Sequence, residues 1–246
     1  MARVRAVEHE DRLTLVEHLD ELRTRLIVTL ATFGVSFAAL FWQDDRLLDI
    51  ANDPLPDDIK LITLGVTEPF MTSLTVVAYA ALTITLPVLL FQIYAYVMPA
   101  FNRSERKTIT PFAFAIPILF VFGVVLGYLA VMPAAAKFLL SFNQDAFTIG
   151  LRAREYYSFF GMLLISMGMT FQLPVALLGV IRLGIVTADQ IAERRRYAIV
   201  AIAALSAALP GGDPVSMLLI MVPLIALFEG SLLLARTFER AAGPAE

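Results

Sequence analysis

Long uncharged apolar runs alternate with short charged segments along this chain of 246 residues. A hydrocarbon core about 30 Å thick requires roughly 20 apolar residues for each helix that spans it. The pattern therefore predicts an all-α integral membrane protein with six transmembrane helices, folded as one membrane domain over residues 1–246. The predicted spans are about 26–42, 70–97, 109–131, 156–181, 197–209 and 214–235.

Two features shape this predicted bundle. Pro87 and Pro174 lie inside spans, where the ring and the missing N–H kink a helix, so we expect a concave, cup-like arrangement. The fifth span has only about 13 residues, or roughly 20 Å of helix. Either neighbouring helices cover its ends, which we expect, or the bilayer is thinner there. The segments from Asp44 to about Thr67 and around Phe138 to Phe147 are predicted to be loops.

The first 25 residues are charged and contain no apolar core, so they are not typical of a cleavable signal peptide. They instead predict a cytoplasmic amphipathic helix leading into the first span, because four leucines recur at helical spacing. Glu21 and Arg25 lie four residues apart on its polar side, a pairing that stabilises a surface helix by about 0.2–0.5 kcal/mol. The leucines are Leu15, Leu19, Leu22 and Leu26.

The basic residues predict how the chain is oriented. Six spans place fourteen of the nineteen Lys and Arg residues on one side, and by the positive-inside rule that side is cytoplasmic. Both termini are therefore predicted to be cytoplasmic. The cytoplasmic set is Arg3, Arg5, Arg12, Arg23, Arg25, Arg103, Arg106, Lys107, Arg182, Arg194, Arg195, Arg196, Arg236 and Arg240; Arg46, Lys60, Lys137, Arg152 and Arg154 form the external set.

Composition narrows the possible functions. With 59% hydrophobic and 17% charged residues, the chain has too little polar surface for a soluble domain of this size. It has no cysteine and two histidines, both near the N-terminus, so we expect no thiolate site and no metal site. No nucleotide-binding loop, HExxH or GxSxG motif is present, so we expect neither an enzyme with catalytic residues nor a cofactor. Nothing indicates nucleic acid as a partner.

A few polar residues remain as candidates for recognition. Gln172 and Glu229 lie within predicted spans, where buried polar groups usually contact another helix. Glu105 follows Asn102 by three residues, which suits a capping box that opens the third span. It equally suits an exposed carboxylate able to hold an arginine through two hydrogen bonds, and spacing alone leaves both alternatives open.

Several motifs, in order along the chain, resemble those of the TatC family, the receptor subunit of twin-arginine protein translocation. The strongest is His18-Leu19-Asp20-Glu21-Leu22-Arg23-Thr24-Arg25-Leu26, which is similar to the family signature HLxELRxRL. The others are Glu68-Pro69-Phe70, Met98-Pro99-Ala100-Phe101 through Ser104-Glu105-Arg106-Lys107, Phe171-Gln172-Leu173-Pro174-Val175, Arg194-Arg195-Arg196-Tyr197 and the turn into Asp213-Pro214.

The resemblance implies a receptor in the bacterial inner membrane that binds twin-arginine signal peptides of folded cargo. It implies single-span partners of the TatA and TatB type, self-association within the complex, and transport driven by the proton-motive force. By resemblance, Glu21 and Glu105 recognise the arginine pair, Arg23 and Arg25 position Glu21 or balance its charge, and Tyr96 touches the peptide. Pro54 and Asp213 match family positions in external loops, with structural or partner roles equally open.

The chain departs from the family pattern at Gln172, where many members carry glutamate. An amide can hydrogen-bond a partner helix, but it cannot exchange a proton. Two other functions compete with the receptor interpretation. A small-solute secondary transporter requires a polar site at the midplane, for which the chain offers only Gln172 and Glu229. A structural scaffold would bind signal peptides no differently after mutation of Glu105.

Overall fold

A computed structural model of the protein describes residues 15–56, 59–98, 106, 110–142, 150–208 and 213–242. Within these residues the regular structure is helical, apart from an isolated bridge between Ile62 and Arg152. The α-helices are α1 (Leu15–Phe41), α2 (Asp44–Asn52), α3 (Glu68–Val97), α4 (Phe112–Leu126), α5 (Met132–Ser141), α6 (Ala153–Thr170), α7 (Leu173–Arg182), α8 (Ala188–Glu193), α9 (Arg195–Ala208) and α10 (Pro214–Ala242); a π-helical turn, Gly127–Val131, joins α4 to α5.

Five helical segments of the described chain are long and apolar enough to cross a membrane. They correspond to the predicted first, second, third, fourth and sixth spans, with the first ending at Phe41 and the third beginning at Phe112. The predicted fifth span corresponds to α9, whose 14 residues make about 21 Å of helix and fall short of a full crossing. The all-α membrane fold is confirmed, whereas a sixth span and the cup-like shape stay predictions. The five segments are His18–Phe41, Glu68–Val97, Phe112–Ser141, Ala153–Arg182 and Pro214–Thr237.

Of the two predicted proline kinks, the structure shows the one at Pro174. Pro174 lies in the first turn of α7, and the fourth span is interrupted between Thr170 and Leu173 as predicted. Pro133 lies in the first turn of α5, just after the π-helical turn. The extra residue in that turn accommodates the proline, so the helix continues instead of ending. Around Pro87, α3 remains helical.

Two predicted loops are wrong in part, because short helices occupy them. The segment after the first span forms α2, whose Asp44 and Asp45 suit the positive end of a helix and whose Ala51 is fully buried. The half-apolar segment that begins near Phe138 starts within α5, which extends the third span to Ser141. Leu140 there is buried against the bundle. Such packing stabilises a helix without a long apolar run in the sequence, so the run length alone did not predict it.

Helix contacts sort the charged ends of the bundle into two groups. The start of α1 meets the end of α3, since Arg25 contacts Gln92, and the starts of α3 and α6 meet through Glu68 and Arg152. The end of α10 meets α8 through an ion pair between Arg236 and Asp189. Arg25 and Arg236, which are predicted to be cytoplasmic, therefore lie in different contacts from Arg152, which is predicted to be external.

Small residues let the central helices pack closely. Gly123 and Gly127 of α4 and its π-helical extension lie against Met167 of α6, and Gly168 of α6 lies against Phe120 of α4. Within lipid, such spacing of glycines allows two backbones to approach and gain van der Waals contact. Leu163 and Met167 of α6 are fully buried in one hydrophobic core.

Candidate recognition site at the α1–α3 end

Glu21 lies at the end of the bundle where α1 begins and α3 ends, and it is already paired. Arg25 donates from Nε to Glu21 Oε1 at 3.0 Å, and its Nη2 contacts the same oxygen. The pair is the one that the four-residue spacing predicted. Both side chains are half-buried, with 25% of Glu21 and 22% of Arg25 exposed. Partial burial reduces solvent screening, so this contact is stronger than a fully exposed helical pair.

Three further side chains complete what we call the α1–α3 cluster, made of His18, Glu21, Arg25, Gln92 and Tyr96. Arg25 also donates from Nη1 to Gln92 Oε1 at 2.8 Å. The His18 ring stacks on Tyr96 with centroids 4.2 Å apart, and His18 Nδ1 lies 4.0 Å from Glu21 Oε2. The structure thus brings Tyr96 beside Glu21 and Arg25, as the family resemblance implied that they share one surface.

Of the remaining residues predicted for this surface, Arg23 lies apart from the cluster and Glu105 lies outside the described residues. Arg23 is exposed, and in the described part of the chain it makes no ion pair with a carboxylate. Sequence reasoning missed Gln92, although a lone amide among apolar residues near the end of a span is a usable signal.

The opposite end of the bundle holds a second charged group, which sequence reasoning did not single out as a site. Glu68 at the start of α3 is only 8% exposed and accepts from Arg152 Nε at 2.6 Å. Its other oxygen accepts the backbone N–H groups of Leu64 and Gly65 at 2.7 and 3.1 Å. Ile62 bonds in turn to the backbone on both sides of Arg152. These bonds fasten the loop before α3 onto the start of α6.

Asp213 and Pro54, the two predicted external-loop residues, have structural surroundings. Asp213 Oδ1 accepts the N–H groups of Val215 and Ser216 at 3.0 and 2.7 Å, which caps the start of α10. Pro54 is half-buried in the turn that follows α2. Any contact of either residue with a partner stays a prediction.

Gln172 and Glu229 each have a partner inside the protein. Gln172 donates from Nε2 to the Ile116 carbonyl of α4 at 3.2 Å, while its buried Oε1 has no partner among the described residues. Glu229 pairs with Arg195 at 3.1 Å, across the contact between α10 and α9. Neither residue joins the α1–α3 cluster. Within the described chain, no group of three or more His, Asp and Glu side chains is placed to hold a metal ion.

Five long apolar helices packed in one bundle, with charged clusters at its ends, define a multi-pass α-helical membrane protein. The family model described as "Sec-independent protein translocase protein (TatC)" matches residues 17–223, and the chain belongs to this family. The family resemblance read from the motifs is confirmed. The chain is a component of the Sec-independent protein translocase, a protein-transport machine, which excludes the transporter of small solutes.

Known TatC proteins are similar to this chain over most of its length and of their own. The TatC protein of Magnetococcus marinus is 33% identical over 94% of this chain and 87% of its own. That of Carboxydothermus hydrogenoformans is 34% identical over 92% and 95%. A crystal structure of the twin-arginine translocase receptor TatC superimposes with a TM-score of 0.78 at 31% identity, covering 89% of this chain and 99% of that one.

Proposed function

We propose that this protein is the signal-peptide receptor of a twin-arginine translocase, with Glu21 and Glu105 accepting the guanidinium groups of the arginine pair. The observation that carries the proposal is the state of Glu21. This half-buried carboxylate at the α1–α3 end already binds one guanidinium through two nitrogens. A surface that holds an internal arginine in this way has the chemistry required to hold an arginine from a peptide.

The neighbours of Glu21 support the same role. Tyr96, stacked on His18, offers an aromatic face beside the carboxylate, and guanidinium planes stack on such faces. Lysine presents a single compact ammonium and cannot reproduce a planar two-nitrogen contact. A site built in this way therefore favours arginine over lysine, as a twin-arginine signal requires.

Orientation and partners complete the proposal. Both termini lie on the cytoplasmic side of a bacterial inner membrane, and α9 is the short fifth of six spans. Two ion pairs support this position of α9. Arg195, at the start of α9, pairs with Glu229 of α10, which lies two turns before Arg236. Arg236 itself pairs with Asp189 of α8, the short helix that precedes α9. TatA- and TatB-type helices bind the membrane faces near Gln172 and Glu229, copies of the chain self-associate, and the proton-motive force drives transport.

Photocrosslinking tests the proposal directly. A twin-arginine signal peptide with a photoreactive residue beside the arginine pair is mixed with the purified protein in detergent. Glu21→Gln and Glu105→Gln should each reduce crosslinking strongly, and a twin-lysine peptide should crosslink weakly to wild type. Glu193→Gln, an exposed carboxylate on α8, is the matched control and should leave crosslinking unchanged. Equal crosslinking in all four proteins would refute the proposed site.

A further inference from the structure

The carboxylate that should receive the peptide is occupied in the free protein. Glu21 Oε1 is contacted by two nitrogens of Arg25, and the third nitrogen of that guanidinium donates to Gln92 Oε1 at 2.8 Å. Arg25 therefore has two acceptors on two helices: Glu21, four positions before it, and Gln92, 67 positions after it. Glu21 Oε2 faces only His18 among the described residues, at 4.0 Å.

We infer that Arg25 competes with the signal peptide for Glu21, and that Gln92 still accepts a hydrogen bond from Arg25 after the peptide has bound. The inference rests on the proposed function of Glu21. In the free protein, Arg25 occupies the position of a peptide arginine. On binding, the peptide guanidinium takes over Glu21 Oε1, and Arg25 retains its bond to Gln92. One guanidinium contact is exchanged for another, and no charge is left without an acceptor.

The thermodynamic consequence is specific. The free state is common to all peptides, so a competitor in it lowers every affinity by the same factor. Arg25 therefore does not set the preference for arginine over lysine, which arises from the contacts made in the complex. It raises the intrinsic affinity that any peptide needs in order to bind at a given concentration. Weak twin-lysine ligands then stay unbound at concentrations where twin-arginine ligands bind.

Equilibrium binding of fluorescent twin-arginine and twin-lysine peptides to the detergent-solubilised protein tests this role. Arg25→Gln should tighten binding of both peptides by a similar factor, between about twofold for an exposed helical pair and about tenfold for a half-buried one. Their affinity ratio should stay constant. Arg25→Lys retains the charge but loses the two-nitrogen contact, so it should tighten binding by a smaller factor. Arg194→Gln removes one exposed charge that is predicted to lie on the same side of the membrane, and it should have little effect.

Gln92 provides a second, independent arm. Gln92→Leu should weaken twin-arginine binding in the Arg25 protein, because the displaced guanidinium then has no acceptor. The same substitution in Arg25→Gln should change nothing, since no guanidinium needs to be held. A thermodynamic cycle over the two positions isolates this coupling from direct contact between Gln92 and the peptide. Thermal unfolding of each variant verifies that it is folded.

The outcomes separate this inference from the proposed function. If Glu21→Gln abolishes binding and Arg25→Gln tightens it, both stand. If Glu21→Gln abolishes binding but Arg25→Gln weakens it, Arg25 positions Glu21 in the complex, and only the inference is overturned. It is also overturned if Arg25→Lys binds like wild type, because the effect of Arg25→Gln is then one of charge alone. Unchanged binding in Glu21→Gln would overturn the proposed function itself.

Discussion

Replacing glycine by alanine should have opposite effects at two kinds of position in this bundle. At Gly123, an added Cβ would lie 2.7 Å from the Met167 backbone oxygen and 2.8 Å from the Phe171 ring. Ordinary van der Waals contact begins at 3.4 Å, so α4 and α6 must separate by about 0.7 Å. A backbone oxygen cannot rotate away as a side chain can. At Gly179 and Gly230 the same Cβ meets nothing within 4 Å.

The magnitude follows from two opposing terms. Overpacking costs about 1–3 kcal/mol, and the rigid backbone neighbour places Gly123 at the upper end of that range. Replacing a helical glycine by alanine recovers about 1 kcal/mol of helix propensity. Gly123→Ala should therefore destabilise by about 2 kcal/mol, which lowers the melting temperature of a chain of this size by about 4–8 °C. Gly179→Ala and Gly230→Ala keep only the favourable term and should melt at or slightly above the wild-type temperature.

Thermal unfolding in one detergent at one scan rate, followed by far-UV circular dichroism, measures these shifts. A fixed scan rate matters because unfolding of a membrane protein is often irreversible. If all three variants melted alike, the close crossing of α4 and α6 would not limit stability, and the described packing would be wrong at this point.

Three pairs of substitutions probe the charged contacts in the same assay. Glu68→Gln should lower the melting temperature clearly because it removes the ion pair with Arg152, whereas Glu155→Gln, whose exposed carboxylate lies 3.9 Å from the same arginine, should have little effect. Arg195→Gln should destabilise more than Glu229→Gln, since it leaves a carboxylate unpaired within a membrane helix, and equal losses would count against this pairing. Asp213→Ala should cost about 1 kcal/mol by uncapping α10, while Asp213→Asn, which retains an acceptor oxygen, should cost less; the reverse order would argue that the charge itself is needed.

Local features of the fold were predictable from the sequence, and contacts between distant segments were not. The break before Pro174 and the pair of Glu21 with Arg25 follow from chemistry within one or two helical turns. The short helix α2 was not predicted because nine residues with three aspartates do not form a long apolar run, and its buried residue, Ala51, packs against other parts of the chain. Predicting α2 therefore requires knowledge of the tertiary structure.

The same distinction applies to the site. The family resemblance pointed to Glu21, Arg25 and Tyr96, but it did not indicate which residue of another helix would meet Arg25. Gln92 lies 67 positions away, and only the antiparallel packing of α1 on α3 brings it to the guanidinium. Likewise the ion pair of Glu68 with Arg152 joins residues 84 positions apart. Neither partner has a spacing that a pattern along the chain could reveal.

The central claim, that Glu21 binds an arginine of the signal peptide, is tested most directly by a double-mutant cycle across the interface. Wild type and Glu21→Gln are each titrated with the twin-arginine peptide and with peptides in which one arginine is replaced by citrulline, a neutral isostere. The account predicts a coupling of at least about 1.5 kcal/mol between Glu21 and one of the two arginines. Zero coupling to both arginines would contradict it, because the carboxylate and the peptide guanidiniums would then act independently.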